Sequence, residues 1–139
     1  MPLLTPAEAA LFSTVFQIAG AACWVTAKAH LAGFLEPLDA AGAGEIRGLH
    51  IEILICRRED WVPMLGIEVE EVVHQSEEAK ARCVLLNKLF TAAGIPLLRV
   101  PLNESLDASQ IASQMQVAWQ KRLAMLAAMP GAHPRSPGA

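Results

Sequence analysis

Leu49-His50-Ile51-Glu52-Ile53-Leu54-Ile55 and Met64-Leu65-Gly66-Ile67-Glu68-Val69-Glu70-Glu71 are two apolar runs with carboxylates set inside them. Their length and apolar content predict strands over about 47–56 and 63–71. The charged turn Arg57-Arg58-Glu59-Asp60 between them predicts an antiparallel hairpin. A carboxylate inside such a strand must pair, hydrogen-bond, bind a metal or take up a proton. Side chains alternate along a strand, so Glu68 and Glu70 share a face. With the turn centred on Asp60, Glu52 lies opposite Glu68, where cross-strand Cβ atoms are ~4.5–5.5 Å apart. A half-residue shift of that centre would turn Glu52 to the other face. Three converging carboxylates do not all stay ionised unaided. Mg²⁺ or Mn²⁺ would neutralise them, activate a water and stabilise charge on a scissile phosphate. Glu52, Glu68 and Glu70 are therefore the candidate catalytic and metal-binding residues, with Glu70 as ligand or general base.

The rest of the chain supplies helices around this hairpin. Thr5-Pro6-Ala7-Glu8 has the form of a capping box with proline in the first turn. The helix it starts has Leu11, Val15 and Ile18, with Phe12 and Phe16, as its apolar face, and Gly20 ends it. Cys23 to Leu31 is expected to be a strand, with Trp24, Thr26, Lys28 and His30 on one face and Val25, Ala27, Ala29 and Leu31 on the other. Residues 32–44 read as a short helical turn and a loop rich in Pro, Gly and Ala. A second helix is expected from Ser76 to Ala93, with Cys83, Leu86, Leu89 and Phe90 as its stripe and Gly94 as its stop. Ile95 to Val100 reads as a fourth strand. Asp107 or Ser105 caps a third helix that runs to about Ala128 with Ile111, Met115, Ala118, Trp119, Leu123 and Leu126 apolar. The order α-β-β-β-α-β-α, with a crossover helix between the third and fourth strands, predicts a mixed α/β sheet flanked by helices on both faces. One domain over residues 1–128 and a disordered tail over 129–139, rich in Pro and Gly, are expected.

Composition narrows the function classes. The net charge of −3 is unlike that of a dedicated polyanion binder, which is usually basic. The 3 cysteines form no CxxC pair, which argues against structural zinc and for free thiols in a reducing cytoplasm. No Lys or Arg precedes Lys28, and Gly20 stands where a lipoprotein signal carries an aliphatic residue, so export is not expected. No run approaches the ~18–20 apolar residues of a membrane span.

Several segments together resemble a bacterial domain family of unknown function within the PD-(D/E)XK nuclease superfamily. That family shows an early T-P-A-E, a V-D-F strand, I-E-L-D-D-x-x-H, then R-D and A-G-[IL]-P-L-L-R-V. Here the matching pieces are Thr5-Pro6-Ala7-Glu8, Ile51-Glu52-Ile53, Ile67-Glu68-Val69-Glu70-Glu71-Val72-Val73-His74, Arg82-Cys83, and Ala93-Gly94-Ile95-Pro96-Leu97-Leu98-Arg99-Val100. The resemblance spans about residues 4–101 and implies a restriction-endonuclease-like sheet with a Mg²⁺- or Mn²⁺-dependent site for phosphodiester hydrolysis, DNA before RNA. It adds Glu8 as a further metal ligand and His74 and Arg82 as substrate contacts. Three acidic positions differ: Glu52 replaces Asp, Glu70 replaces Asp, and Cys83 replaces the acid of R-D. The superfamily's usual lysine at position 70 is absent. The alternative is thus a degenerate nuclease fold kept as a binding or assembly module, with the apolar helix 107–128 docking a protein partner or a second copy.

Each candidate has a plainer reading. Glu8 serves a capping box without any catalytic role. Glu71 or Glu70 meets solvent at the strand end. His50 shares the parity of Glu52 and can pair with it or simply pack. Lys28 and Lys80 are candidate phosphate contacts, but lysines are usually solvated. Arg82 can pair with Glu78 one helical turn away. Trp24, Trp61 and Trp119 are spread along the chain and read as packing, not as a base-stacking platform.

Overall fold

Thr5 closes the first turn of α1 (Pro6–Ala19): its hydroxyl accepts the Glu8 N–H at 3.2 Å and the Glu8 carboxylate accepts the Thr5 N–H at 2.9 Å. The computed structural model describes residues 2–35, 46–70, 76–101 and 106–129. After α1 come β1 (Cys23–His30), a single 3₁₀ turn (Leu31–Gly33), β2 (His50–Arg57), β3 (Pro63–Glu70), α2 (Glu77–Ala93), β4 (Leu97–Pro101) and α3 (Ala108–Ala128). Ser76 and Asp107 cap α2 and α3 by accepting the backbone N–H of Ala79 and Gln110. Gly94 ends α2 in the left-handed conformation that a side chain disfavours, φ 71°.

The sheet has the order β1-β2-β3-β4, antiparallel through the first three strands and parallel between β3 and β4 across the α2 crossover. This is a mixed α/β fold with a four-stranded sheet, as the element order predicts. Helices cover both faces. On one, Leu11 and Val15 of α1 and Ile111, Met115 and Ala118 of α3 pack on Ile53, Ile55, Leu65, Ile67 and Val100. On the other, Leu86, Leu89 and Phe90 of α2 pack on Leu31, Ile51, Leu54 and Cys56. The buried stripe of α1 runs through Leu11, Val15 and Ala19, so Ile18 and Phe16, expected inside, are exposed. Four-residue steps keep that stripe on one side of a 3.6-residue helix, and Ile18 falls off it. Cys83 is only half-buried.

The alternation of side chains breaks once, at the same level in two strands. Val25 packs on the α1 side of β1, but Ala29 and Leu31 pack on the α2 side. The expected shared face of Val25, Ala27, Ala29 and Leu31 is therefore corrected. In β2, Ile53 and Ile55 face α1, whereas Ile51, Leu54 and Cys56 face α2. The β1–β2 ladder passes from Ala27↔Ile53 to Ala29↔Ile51 and skips Lys28 opposite Glu52. Lys28 has φ 53°, a left-handed backbone inside a strand. For a residue with a Cβ this costs on the order of 1–2 kcal/mol.

A buried arginine locks the far end. Arg122 of α3 is 5% exposed and donates to the carbonyls of Pro63, Ala93 and Gly94, tying α3 to the start of β3 and the end of α2. The apolar pattern of the helix gave no warning of it. Gly66 lets Phe90 close on β3: a Cβ there would lie 2.7 Å from Phe90 Cε2. Two stability tests follow from these contacts. Arg122→Leu strands three carbonyls and is expected to cost about 1–3 kcal/mol in urea denaturation. Gly66→Ala overpacks the α2 face and is expected to cost a similar ~1–3 kcal/mol.

Candidate functional site

Glu68 is the most buried acid of the described residues, 3% exposed. Its Oε1 accepts the Glu52 backbone N–H at 2.9 Å, and its Oε2 accepts Arg82 Nη1 from α2 at 2.7 Å. Arg82 Nη2 reaches the His50 carbonyl at 2.7 Å, so one guanidinium joins β2 and β3. Burial is the largest influence and opposes the Arg82 charge, but the bond to Glu68 and the charges of Glu68, Cys83 and Glu52 together outweigh it and hold the guanidinium protonated more firmly than usual. Arg82 is thus partnered by Glu68 and not by Glu78, its alternative along the helix.

The hairpin register agrees with a turn centred on Asp60: Ile53 lies opposite Ile67, and Glu52 and Glu68 come next. Register alone does not decide where the two carboxylates point. The break in β2 turns Glu52 toward α1, while Glu68 is held from α2. The expected pair of facing carboxylates is replaced by a carboxylate-to-backbone bond. Glu52 Oε1 instead accepts Lys28 Nζ at 2.8 Å, and the same ammonium reaches Glu8 Oε2 at 2.8 Å. The reading of Lys28 as a solvated lysine is corrected: it bridges two acids from α1 and β2. Its left-handed backbone stands at the level where the strand changes face. The sequence signal for this was slight, a lysine between two alanines of a strand. Lys80 is exposed and pairs only with Glu77 at 3.5 Å.

Thr5, Glu8, His50, Glu52, Glu68, Glu70, Arg82 and Arg99 line a single open cleft of about 550 Å³ at this end of the sheet. Glu70 stands exposed at its rim. Glu71 and His74 lie outside the described residues. Arg99 is anchored by Asn87 Oδ1 at 3.0 Å and by the Cys83 carbonyl at 3.3 Å.

The electrostatics divide the acids. The Lys28 ammonium, with the Thr5 N–H, holds Glu8 well below the ordinary carboxylate value, at about 2. Glu52 moves the other way: burial raises it, the Lys28 bond lowers it, and neighbouring Glu8 raises it again, for a net increase. Burial, and then the charges of Lys28 and Arg82, lower His50 and favour its neutral imidazole. With Lys28, the cleft sets four carboxylates against three cations, one negative charge in excess.

The chain that carries this constellation matches a family model over most of its length. The chain is a member of DUF2726, a family of proteins of unknown function, whose match spans residues 1–118. That span takes in α1, the whole sheet, α2 and half of α3. No curated protein and no solved structure matches the chain.

The opposite shifts of Glu8 and Glu52 have a measurable consequence. A carboxylate held below its ordinary 4.5 stabilises the fold above that pH and loses this contribution as pH falls toward about 2. Glu52, held above, contributes in the reverse sense. Thermal denaturation of wild type and Glu8→Gln against pH is expected to show a wild-type advantage above about pH 4.5 that shrinks toward pH 2. An advantage independent of pH would contradict the Glu8–Lys28 assignment.

Proposed function

We propose that the cleft is a phosphodiester-hydrolysing site of restriction-endonuclease-like type, acting on nucleic acid, DNA before RNA, with Mg²⁺ or Mn²⁺. The observation that supports this reading most is the placement of Glu52 beside buried Glu68 in a cleft that also holds Glu8 and Glu70. The donor set suits a hard cation: it is all carboxylate, carries excess negative charge, and contains one acid, Glu52, that its present partners leave under-neutralised. The Lys28 ammonium between Glu8 and Glu52 shows that a cation is accommodated there. Among the described residues no three His, Cys, Asp or Glu groups form a ready coordination cluster. Mg²⁺ is commonly held by one or two carboxylates, with waters and substrate phosphate completing its shell. Glu52 and Glu68 would hold it, with Glu70 and Glu8 at the rim; because the two carboxylates now point to opposite faces, joint binding would require Glu52 to leave Lys28 or Glu68 to leave Arg82.

When bound, the ion supplies Lewis-acid stabilisation of the phosphate and an acidified water. The chain's own groups do the rest. Arg82 pairs with Glu68 and fixes its orientation. Lys28 pairs with Glu8 and Glu52 behind the cleft lining. Arg99 offers a guanidinium to a phosphate oxygen, and neutral His50 is a proton acceptor on the lining. His74, implied as a substrate contact by the resemblance, remains part of the proposal.

One observation favours a second reading, a nuclease-like fold serving as a binding or assembly module. Lys28 and Arg82 already partner three of the four acids, so the charge that called for a metal is largely met from within. The outer side of α3, where Val117 is exposed, would then carry the partner. Plasmid nicking with Mg²⁺, Mn²⁺ or EDTA separates the two. Hydrolysis is expected with either metal, absent in EDTA, and reduced on the order of a hundredfold in the near-isosteric Glu52→Gln. No cleavage with both metals, and no ion binding by calorimetry, would leave the module reading.

A further inference from the structure

The three tryptophans do not all behave as packing. Trp24 of β1 and Trp61 of the β2–β3 turn stack with ring centroids 4.6 Å apart and planes at 11°. The guanidinium carbon of Arg58 lies 4.0 Å over the Trp24 ring. At these separations Arg58 and Trp61 must occupy opposite faces of Trp24, so the three side chains form one layered stack. Trp24 Nε1–H donates to the Arg58 carbonyl at 3.3 Å, and Arg58 Nη2 donates to the Gly20 carbonyl at 3.0 Å, which fixes the inner layers. The outer layer is Trp61, 59% exposed.

Trp61 sits where a hairpin ordinarily carries glycine. Its φ is 61°, and its N–H closes the turn on the Arg57 carbonyl at 2.9 Å. A bulky aromatic at positive φ is an outlier, retained against a backbone preference. Covering Trp24 does not account for the free area of the outer indole. The local charge also has a direction. Arg57 is taken by Asp60 at 2.7 Å and approached by Glu59, whereas Arg58 has no carboxylate partner among the described residues.

We propose that the Arg58–Trp24–Trp61 stack binds single-stranded nucleic acid, with an unpaired base on the outer face of Trp61 and a phosphate at Arg58. An indole face accepts any base, and an adjacent guanidinium with no carboxylate partner among the described residues matches the backbone that accompanies it. The stack lies six residues along β2 from Glu52, about 20 Å of strand, on the α2 side of the sheet from which Arg82 reaches Glu68. It is a contact separate from the acidic cleft. The proposal shares with the proposed function only its substrate class.

The test is binding of a fluorescein-labelled dT₁₂ and its duplex with dA₁₂ to the full chain in EDTA, read by anisotropy and tryptophan quenching. The single strand is expected to bind more tightly than the duplex and to quench. Trp61→Gly, which suits the positive φ, and Trp61→Ala are expected to weaken it roughly 5-fold or more. Trp61→Phe is expected to retain most of the affinity, and Arg58→Gln to weaken it and flatten its salt dependence. Circular dichroism checks folding. Equal affinity in wild type and Trp61→Gly, or no binding of either oligonucleotide, overturns the proposal. Equal binding of duplex and single strand also overturns it, since phosphate contact alone would explain that. Should the truncations unfold, unchanged affinity in Arg58→Gln overturns it. Because no metal is present, failure here leaves the hydrolytic reading standing, and loss of cleavage in Glu52→Gln leaves this one standing.

Discussion

A carboxylate at the centre of a sheet has to be neutralised, and the way Glu68 meets this requirement organises the molecule. Its two oxygens take one backbone N–H from β2 and one guanidinium from α2. The first bond links β2 to β3 beyond the last ladder pair, Ile53↔Ile67. The second commits Arg82 to the sheet, and through the His50 carbonyl ties α2 to β2 as well as β3. Removing one member would leave a buried charge without a partner, which is more damaging than never having had the pair.

Lys28 solves the complementary problem on the other face. Glu8 is already bound by the requirement to cap α1, and Glu52 is carried to the same side by the break in β2. Two acids so close repel, and an ammonium between them resolves it. The left-handed backbone at Lys28 is a local cost on the order of 1–2 kcal/mol, offset by two charged hydrogen bonds. The result is asymmetric: Glu8 is held well below the ordinary carboxylate value, while burial and the neighbouring Glu8 leave Glu52 above it. That asymmetry makes Glu52 the one of the two acids that takes up a proton first as pH falls.

The two ends of the β2–β3 hairpin differ in chemistry. One end gathers acids, paired arginine and lysine around a cleft. The other carries an aromatic stack with a guanidinium that has no carboxylate partner among the described residues. Arg122 and the glycine at position 66 hold the intervening sheet against its helices, so the separation between the ends is set by packed strands and not by a loop.

The order of elements, the main helix caps and the parallel crossover were legible in the residues, whereas the hairpin register was legible only on the condition of a turn centred on Asp60. Each follows from local chemistry: capping boxes, glycine stops, period-two and helical apolar patterns, and a charged turn. The oddity of Glu52 and Glu68 was legible for the same reason, because an acid in an apolar strand violates its surroundings. Membership of DUF2726 agrees with the expected family of unknown function. What the sequence could not determine is which side each carboxylate faces. Strict alternation puts Glu52 and Glu68 on one face, and only the paired break at Lys28 and Glu52, a backbone event spread over two strands, separates them. The bridging of Glu8 and Glu52 by Lys28, the bonds of buried Arg122 and the stacking of Trp24 on Trp61 all join residues 20 or more positions apart in the chain. No periodicity records such contacts; they exist only once the strands lie side by side and the helices close over them.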